Sequence, residues 1–167
     1  MGDRLDWDKS KNLRMRPALP SDSMQLLEWR NNELVRRFSK NSSLILEQEH
    51  NDWIRNKLDI ENSTCRIFVF HDNLTAVGMT RIDLTSESTG EISIVVDPNF
   101  FSRGYGSFML RETIQLGFSD PSLINLLAVI HNLNFASIAL FTKNGFRKIN
   151  SGDIFSTYSL VKQEISV

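Results

Sequence analysis

The spacing of apolar positions changes along this chain, from helical in the first third to alternating in the middle, and then to helix and strand by turns. Leu13-Arg-Met-Arg16 alternates apolar and charged residues, as a first strand does, and stops at Pro17. Ser21 or Asp22 can cap a helix after Pro20 that carries Met24, Leu26, Leu27 and Trp29. A second helical stretch is expected over 32–38, and a third over 47–58, with Trp53, Ile54 and Leu58 as its apolar residues. The segments 65–70 and 75–84 then read as strands joined at Asp72-Asn73, a hairpin signal, and 91–96 as a third strand. Residues 105–118 have one broad apolar helical side that includes Met109, Leu110, Ile114 and Phe118. The run 126–130 is apolar throughout, as in a strand from the middle of a sheet. A helix over 134–143 is stopped by Asn144-Gly145, and 146–161 gives two more strands around Ser151-Gly152.

This order predicts an α/β (α+β) domain with a largely antiparallel sheet of six to seven strands and about four helices. Residues 1–11 are polar and without period and are expected to be a flexible arm, leaving 12–167 as a single domain.

Composition narrows the class. The formal net charge of -1 lacks the basic excess of a general nucleic-acid binder. No apolar run approaches the roughly 18 residues of a membrane span. Cys65 is the only cysteine, so no disulfide can form within the chain. The expectation is a soluble, cytoplasmic protein, monomer or homodimer, that binds neither nucleic acid nor membrane.

The segment 94–106 carries the most chemistry. A β-branched strand, Ile94-Val95-Val96, ends at Asp97-Pro98. A loop with Ser102, Arg103 and two glycines, Gly104 and Gly106, follows and opens directly into a helix. Glycines let the main chain approach a phosphate closely, and a helix N-terminus favours negative charge. The segment therefore reads as a pyrophosphate cradle with Arg103 adding a cation. It fits neither common nucleotide fingerprint. Met109 stands where a Gly-x-Gly-x-x-Gly would need its last glycine, and there is no Gly-Lys-Ser/Thr.

Residues 134–146 read Asn-Phe-Ala-Ser-Ile-Ala-Leu-Phe-Thr-Lys-Asn-Gly-Phe, a capped helix with a glycine stop. In order and distance the two segments together resemble the cofactor motifs of the GNAT superfamily of acetyl-CoA-dependent N-acetyltransferases. The likeness runs over about residues 13–165 and rests on Gly104 and Gly106 in the first motif, and on Asn134, Ser137, Gly145 and Phe146 in the second. It implies acetyl-CoA as co-substrate and no metal. The loop, with Ser102, Arg103 and Tyr105, would hold the pyrophosphate, Tyr105 packing on CoA, while Asn134, Ser137 and Phe141 would flank pantetheine. Two residues depart from the family pattern. Phe101 replaces the usual Gln or Arg, and Phe141 stands where a tyrosine often protonates the leaving thiolate.

Acetyl transfer to a primary amine needs a polarised carbonyl, a base and an acid. The resemblance implies that backbone N–H groups of the Ile94, Val95 and Val96 strand polarise the thioester. It also points to Glu91, which begins that strand, as the base. Tyr105 and Tyr158 are the only tyrosines, and Tyr158 is the phenolic acid candidate. Cys65 lies in a strand with no neighbouring base and is expected to be inert.

The first helices would receive the acceptor. Trp29 beside Arg30, and His50 with Trp53 one turn on, can stack on a ring and grip an anion, unless the tryptophans are simply core. These clusters resemble the GNAT subgroup that acetylates amino-sugar nucleotides, with Arg30 and His50 on phosphate or sugar. The alternatives are a protein N-terminal acetyltransferase of the ribosomal-protein type and a non-catalytic acyl-CoA-binding module.

Overall fold

The computed structural model describes residues 12–59 and 64–163, so the expected N-terminal arm lies outside the described residues. Strand β1 (Leu13–Pro17) is followed by a 3-10 turn at Pro20–Asp22 and by helices α1 (Ser23–Asn31), α2 (Glu33–Arg36) and α3 (Glu47–Lys57). Then come β2 (Cys65–Asp72), β3 (Thr75–Leu84), β4 (Thr89–Val96), a 3-10 turn at Pro98–Phe100 and α4 (Tyr105–Ser119). The chain closes with β5 (Asn125–His131), α5 (Phe135–Lys143), β6 (Arg147–Ser151) and β7 (Phe155–Val161). No helix among the described residues is long and apolar enough to cross a membrane.

All seven strands join in one sheet of order β1-β2-β3-β4-β5-β7-β6. Every pairing is antiparallel except β4 with β5. Strand β7 thus inserts between β5 and β6 and leaves β6 as a wholly exposed edge.

Strand alternation sorts side chains onto two layers. Ile82, Ile92, Leu110, Leu126, Phe141 and Tyr158 form one core beneath α4 and α5. Phe68, Phe70, Tyr105 and Met109 extend it under the start of α4. On the other face, Leu26, Trp29, Ile54, Cys65, Val69 and Met79 pack α1 and α3 against β2 and β3. Leu110 and Leu126 are fully buried, and removing such a side chain from water contributes about 1.5–3 kcal/mol. Asp22 fixes the entry to α1. Its two oxygens accept from Arg16 at 2.7 and 2.8 Å, and one also accepts from Leu19 N–H at 2.7 Å.

Candidate active site

The site starts from a pairing that stops. Strand β4 is bonded to β3 along its whole length, from Gly90 opposite Leu84 to Val96 opposite Gly78. On its other side, β4 meets β5 only at Thr89, Gly90 and Glu91, opposite Asn125, Leu126 and Leu127. Beyond Glu91 the two strands part. Asp97 N–H donates to Val77 O at 2.9 Å, so that residue's amide faces β3. Backbone groups alternate sides along a strand, which turns Ile94 and Val96 N–H toward the opening. Val95 carries its backbone groups to β3, while its side chain packs with the α1/α3 core. The three strand residues therefore divide: Ile94 and Val96 turn their N–H groups to the opening, and Val95 supplies packing.

The loop after β4 ends at this opening. Asp97 accepts from Asn99 N–H at 2.8 Å and so caps the 3-10 turn. Ser102 and Gly104 both take left-handed backbone angles, with φ of 61° and 81°. Gly104 is the N-cap of α4 and gives it no side-chain cap, so the first-turn N–H groups are left to the loop. Nothing lies within 4 Å of where a Cβ on Gly104 would stand. A Cβ on Gly106 would meet Leu140 Cδ2 at 3.4 Å and Val96 Cγ2 at 3.5 Å, so α4, α5 and the end of β4 converge on that residue. Exposed Arg103 lies with its guanidinium carbon 5.3 Å from the centre of the Phe100 ring. Open space, an uncapped helix start, a nearby cation and free strand donors together suit the pyrophosphate and pantetheine of CoA.

Several motif side chains have structural duties. Asn134 caps α5 by accepting from Ser137 N–H at 3.1 Å. Phe141 is 2% exposed and lies edge-on to Phe146 with centroids 5.0 Å apart, so its ring belongs to the core. Ser137, half-buried one turn earlier on the same helix face, brings a hydroxyl where Phe141 cannot. Tyr105 is turned under α4 and its hydroxyl donates to Asp72 at 2.6 Å, which leaves backbone rather than ring for the cradle. Tyr158 is buried in the core with Phe141, and Lys148 Nζ lies 5.7 Å from its ring centre. Phe101 is exposed on the loop and offers no polar atom of its own beyond the backbone.

The face opposite α4 and α5 carries Glu91 and Ser93 on β4, with Arg81 and Asp83 across on β3. Glu91 stands opposite Asp83, two carboxylates side by side on adjacent strands. Both are paired with cations, Asp83 with two and Glu91 with one. Lys57 lies 2.9 Å and Arg81 Nε 2.5 Å from Asp83, and Lys40 lies 3.1 Å from Glu91. Burial pushes the Cys65 thiol up to about 12, and the neighbouring Asp83 adds to this, so the cysteine is an inert core group.

Trp29 is 2% exposed and its indole N–H donates to Asp97 at 2.9 Å, so it ties α1 to the end of β4 rather than facing a ligand. Arg30, His50 and Trp53 do come together. Burial lowers the pKa of Arg30, and the like charges of Arg36 and Arg81 lower it further. Arg30 donates one nitrogen to Asn41 O, while its buried Nη1 has no partner. His50 lies 5.3 Å from Trp53, ring to ring, and its buried Nε2 is also unpartnered. Burial drives the His50 pKa below its usual value, against a backbone hydrogen bond with Ser23, and Arg30's charge acts in the same direction as burial. The result is an idle donor on Arg30 and an idle nitrogen on His50, near enough for the guanidinium charge to act on the ring, with Arg36, Arg81 and the Trp53 indole around them. Sequence reasoning missed Arg36, Arg81 and Lys40, because their relevance lies only in which strand or loop they share.

Residues 12–147 match the family model of the acetyltransferase (GNAT) domain. Comparison of the sequence with curated proteins gives no match. The fold is similar to a spermidine N-acetyltransferase from Vibrio cholerae solved with CoA and spermine, at TM-score 0.78 and 14% identity over 89% of this chain and 95% of that one. It is similar to RimL, a ribosomal L7/L12 alpha-N-protein acetyltransferase solved with CoA, at TM-score 0.77 and 15% identity over 89% and 93%. The Campylobacter jejuni N-acetyltransferase PseH aligns at TM-score 0.70 and 16% identity over 90% and 99%. At such identities the likeness is one of fold.

Proposed function

Because the chain belongs to the GNAT acetyltransferase family, and is thus an acetyl-CoA-dependent N-acetyltransferase acting on an amine, we propose that its acceptor is an amino-sugar nucleotide. The observation that carries this reading is the pair of buried, unpartnered polar atoms, Arg30 Nη1 and His50 Nε2. A buried donor without a partner costs about 1–3 kcal/mol, so a ligand that supplies one is rewarded. Arg30 donates to a phosphate oxygen, with Arg36 and Arg81 adding charge nearby. The unpartnered Nε2 of His50 accepts from a sugar hydroxyl, with Trp53 beside it as a stacking surface.

Acetyl-CoA supplies an activated acetyl thioester. The chain's own part is to hold and to move protons. Ile94 and Val96 N–H aim at the carbonyl from the free edge of β4, and the uncapped start of α4 with Arg103 holds the pyrophosphate. Glu91 takes the ammonium proton of the acceptor, directly or through a water. Proton delivery to the departing sulfur falls to the Ser137 hydroxyl or to water.

Thiol release from acetyl-CoA, measured with UDP-amino sugars, with N-terminal peptides and with no acceptor, tests the proposal. Turnover is expected with the sugar nucleotide alone. Turnover with the peptide and not the sugar nucleotide would replace this reading with the protein N-terminal one, and tight CoA binding without turnover on either would favour a binding module.

A further inference from the structure

The loop between α2 and α3 is tied down on both sides of Lys40. Asn31 holds Ile45 through two hydrogen bonds of 2.8 and 2.9 Å, and Arg36 donates to Ser42 O at 2.8 Å. Arg30 grips Asn41 O. Before Lys40, Phe38 rests edge-on against His131, the last residue of β5, with centroids 5.4 Å apart. From there Lys40 reaches Glu91, the last residue of β4 that pairs with β5, at 3.1 Å. The loop therefore lies along the opening between the two strands, one end on each. Its single lysine puts a primary amine on the carboxylate read above as the base. Glu91 is half-covered while Lys40 is 61% exposed, so the stem can swing along the gap without unpacking anything.

We infer that Lys40 is an internal acceptor: the protein acetylates its own Lys40 Nζ from bound acetyl-CoA when no external amine occupies the site. The inference rests on the reading of Glu91 as proton acceptor. In the step, Glu91 takes a proton from the Lys40 ammonium, and the Nζ lone pair forms a bond to the acetyl carbon. The carbon–sulfur bond breaks, and CoA leaves as a thiol after its sulfur gains a proton from water. The amine sheds a second proton to solvent, and a neutral amide replaces the cation. The modified side chain can no longer pair with Glu91, so the reaction also removes the only cation found against that carboxylate among the described residues.

The test is peptide mapping by mass spectrometry of full-length protein incubated with acetyl-CoA and no acceptor. Lys40 is expected to be acetylated before the exposed Lys143 and Lys148, at a first-order rate independent of protein concentration. Uniform labelling of the exposed lysines, or a rate that scales with protein concentration, would overturn the inference. A second reagent, N-hydroxysuccinimidyl acetate used without CoA, reads the ion pair alone. E91Q is expected to lower acetylation of Lys40 by acetyl-CoA about tenfold or more, and to raise its labelling by the small reagent, since the ammonium loses its partner. If E91Q lowers both, Lys40 has merely moved and the inference fails. Lys40 acetylation without sugar-nucleotide turnover would leave this inference standing and refute the acceptor reading. Sugar-nucleotide turnover with Lys40 unmodified would do the reverse.

Discussion

The indole N–H of Trp29 donates to the carboxylate of Asp97 at 2.9 Å across 68 positions of sequence, and both side chains are buried. Asp97 also caps the turn that leads into the glycine loop and bonds its own N–H to β3. One carboxylate thus joins α1, the end of β4 and the turn into the glycine loop. Trp29→Phe keeps the ring in the core but strips a buried acceptor of its donor. Urea unfolding is expected to show a loss of about 1–3 kcal/mol. A loss below about 0.5 kcal/mol, as for an ordinary surface change, would mean that the bond does not hold α1 in place.

Glu91→Gln is isosteric and leaves the strand pairing intact. Turnover is expected to fall on the order of 10²-fold, with CoA affinity measured by calorimetry unchanged. An unchanged rate would take Glu91 out of the mechanism.

Gly104→Ala separates folding from ligand binding. At a φ of 81°, alanine bears a strain of about 1 kcal/mol, yet its Cβ would meet no protein atom within 4 Å. A small drop in Tm is expected together with a CoA Kd raised about tenfold, because the methyl group enters the space left for phosphate. Equal CoA affinity would place the pyrophosphate elsewhere.

Acid stability follows in part from two carboxylates, besides Asp83, which, against burial, its neighbouring cations also hold low. Asp22 is held low mainly by its hydrogen bond with Arg16, against burial and aided by Leu19 N–H. Asp120 is held down to about 2 by the Ser122 hydroxyl first, then by Arg66. Both have folded pKa values below their unfolded ones. Their stabilising effect is therefore complete above the usual carboxylate range and lost as pH falls through the folded values. Tm is expected to drop between about pH 4 and pH 2, less steeply in Asp120→Asn. A parallel loss in that variant would show that Asp120 takes no part.

Much of this was legible in the chain. Local signals with their own physics held: Pro17 ending β1, the Asp72-Asn73 hairpin and the caps at Asn134 and Gly145 all sit where the residues demand. The glycine loop was readable because Gly104 answers a backbone requirement. Facts about distant partners were not. Apolar and β-branched runs identify β4 and β5 as strands but do not say that they separate after Glu91 and Leu127. Nor do they say that β7 enters between β5 and β6. Trp29 beside Arg30 suggested a ligand-facing pair, yet helical geometry points neighbours in different directions, and only Arg30 has an idle atom. Tyr105 and Phe141, which the motif places against CoA, have buried side chains, a fact set by distant packing partners.

In the proposed function, the free edge of β4 and the start of α4 receive CoA. Backbone amide NMR during a CoA titration tests it most directly. The largest shifts are expected at Ile94, Val96 and Gly104–Ser107, with the β3-facing amide of Val95 less affected and the outer strands β1 and β6 unmoved. Shifts confined to other surfaces, with Ile94 and Val96 unchanged at saturation, would contradict it.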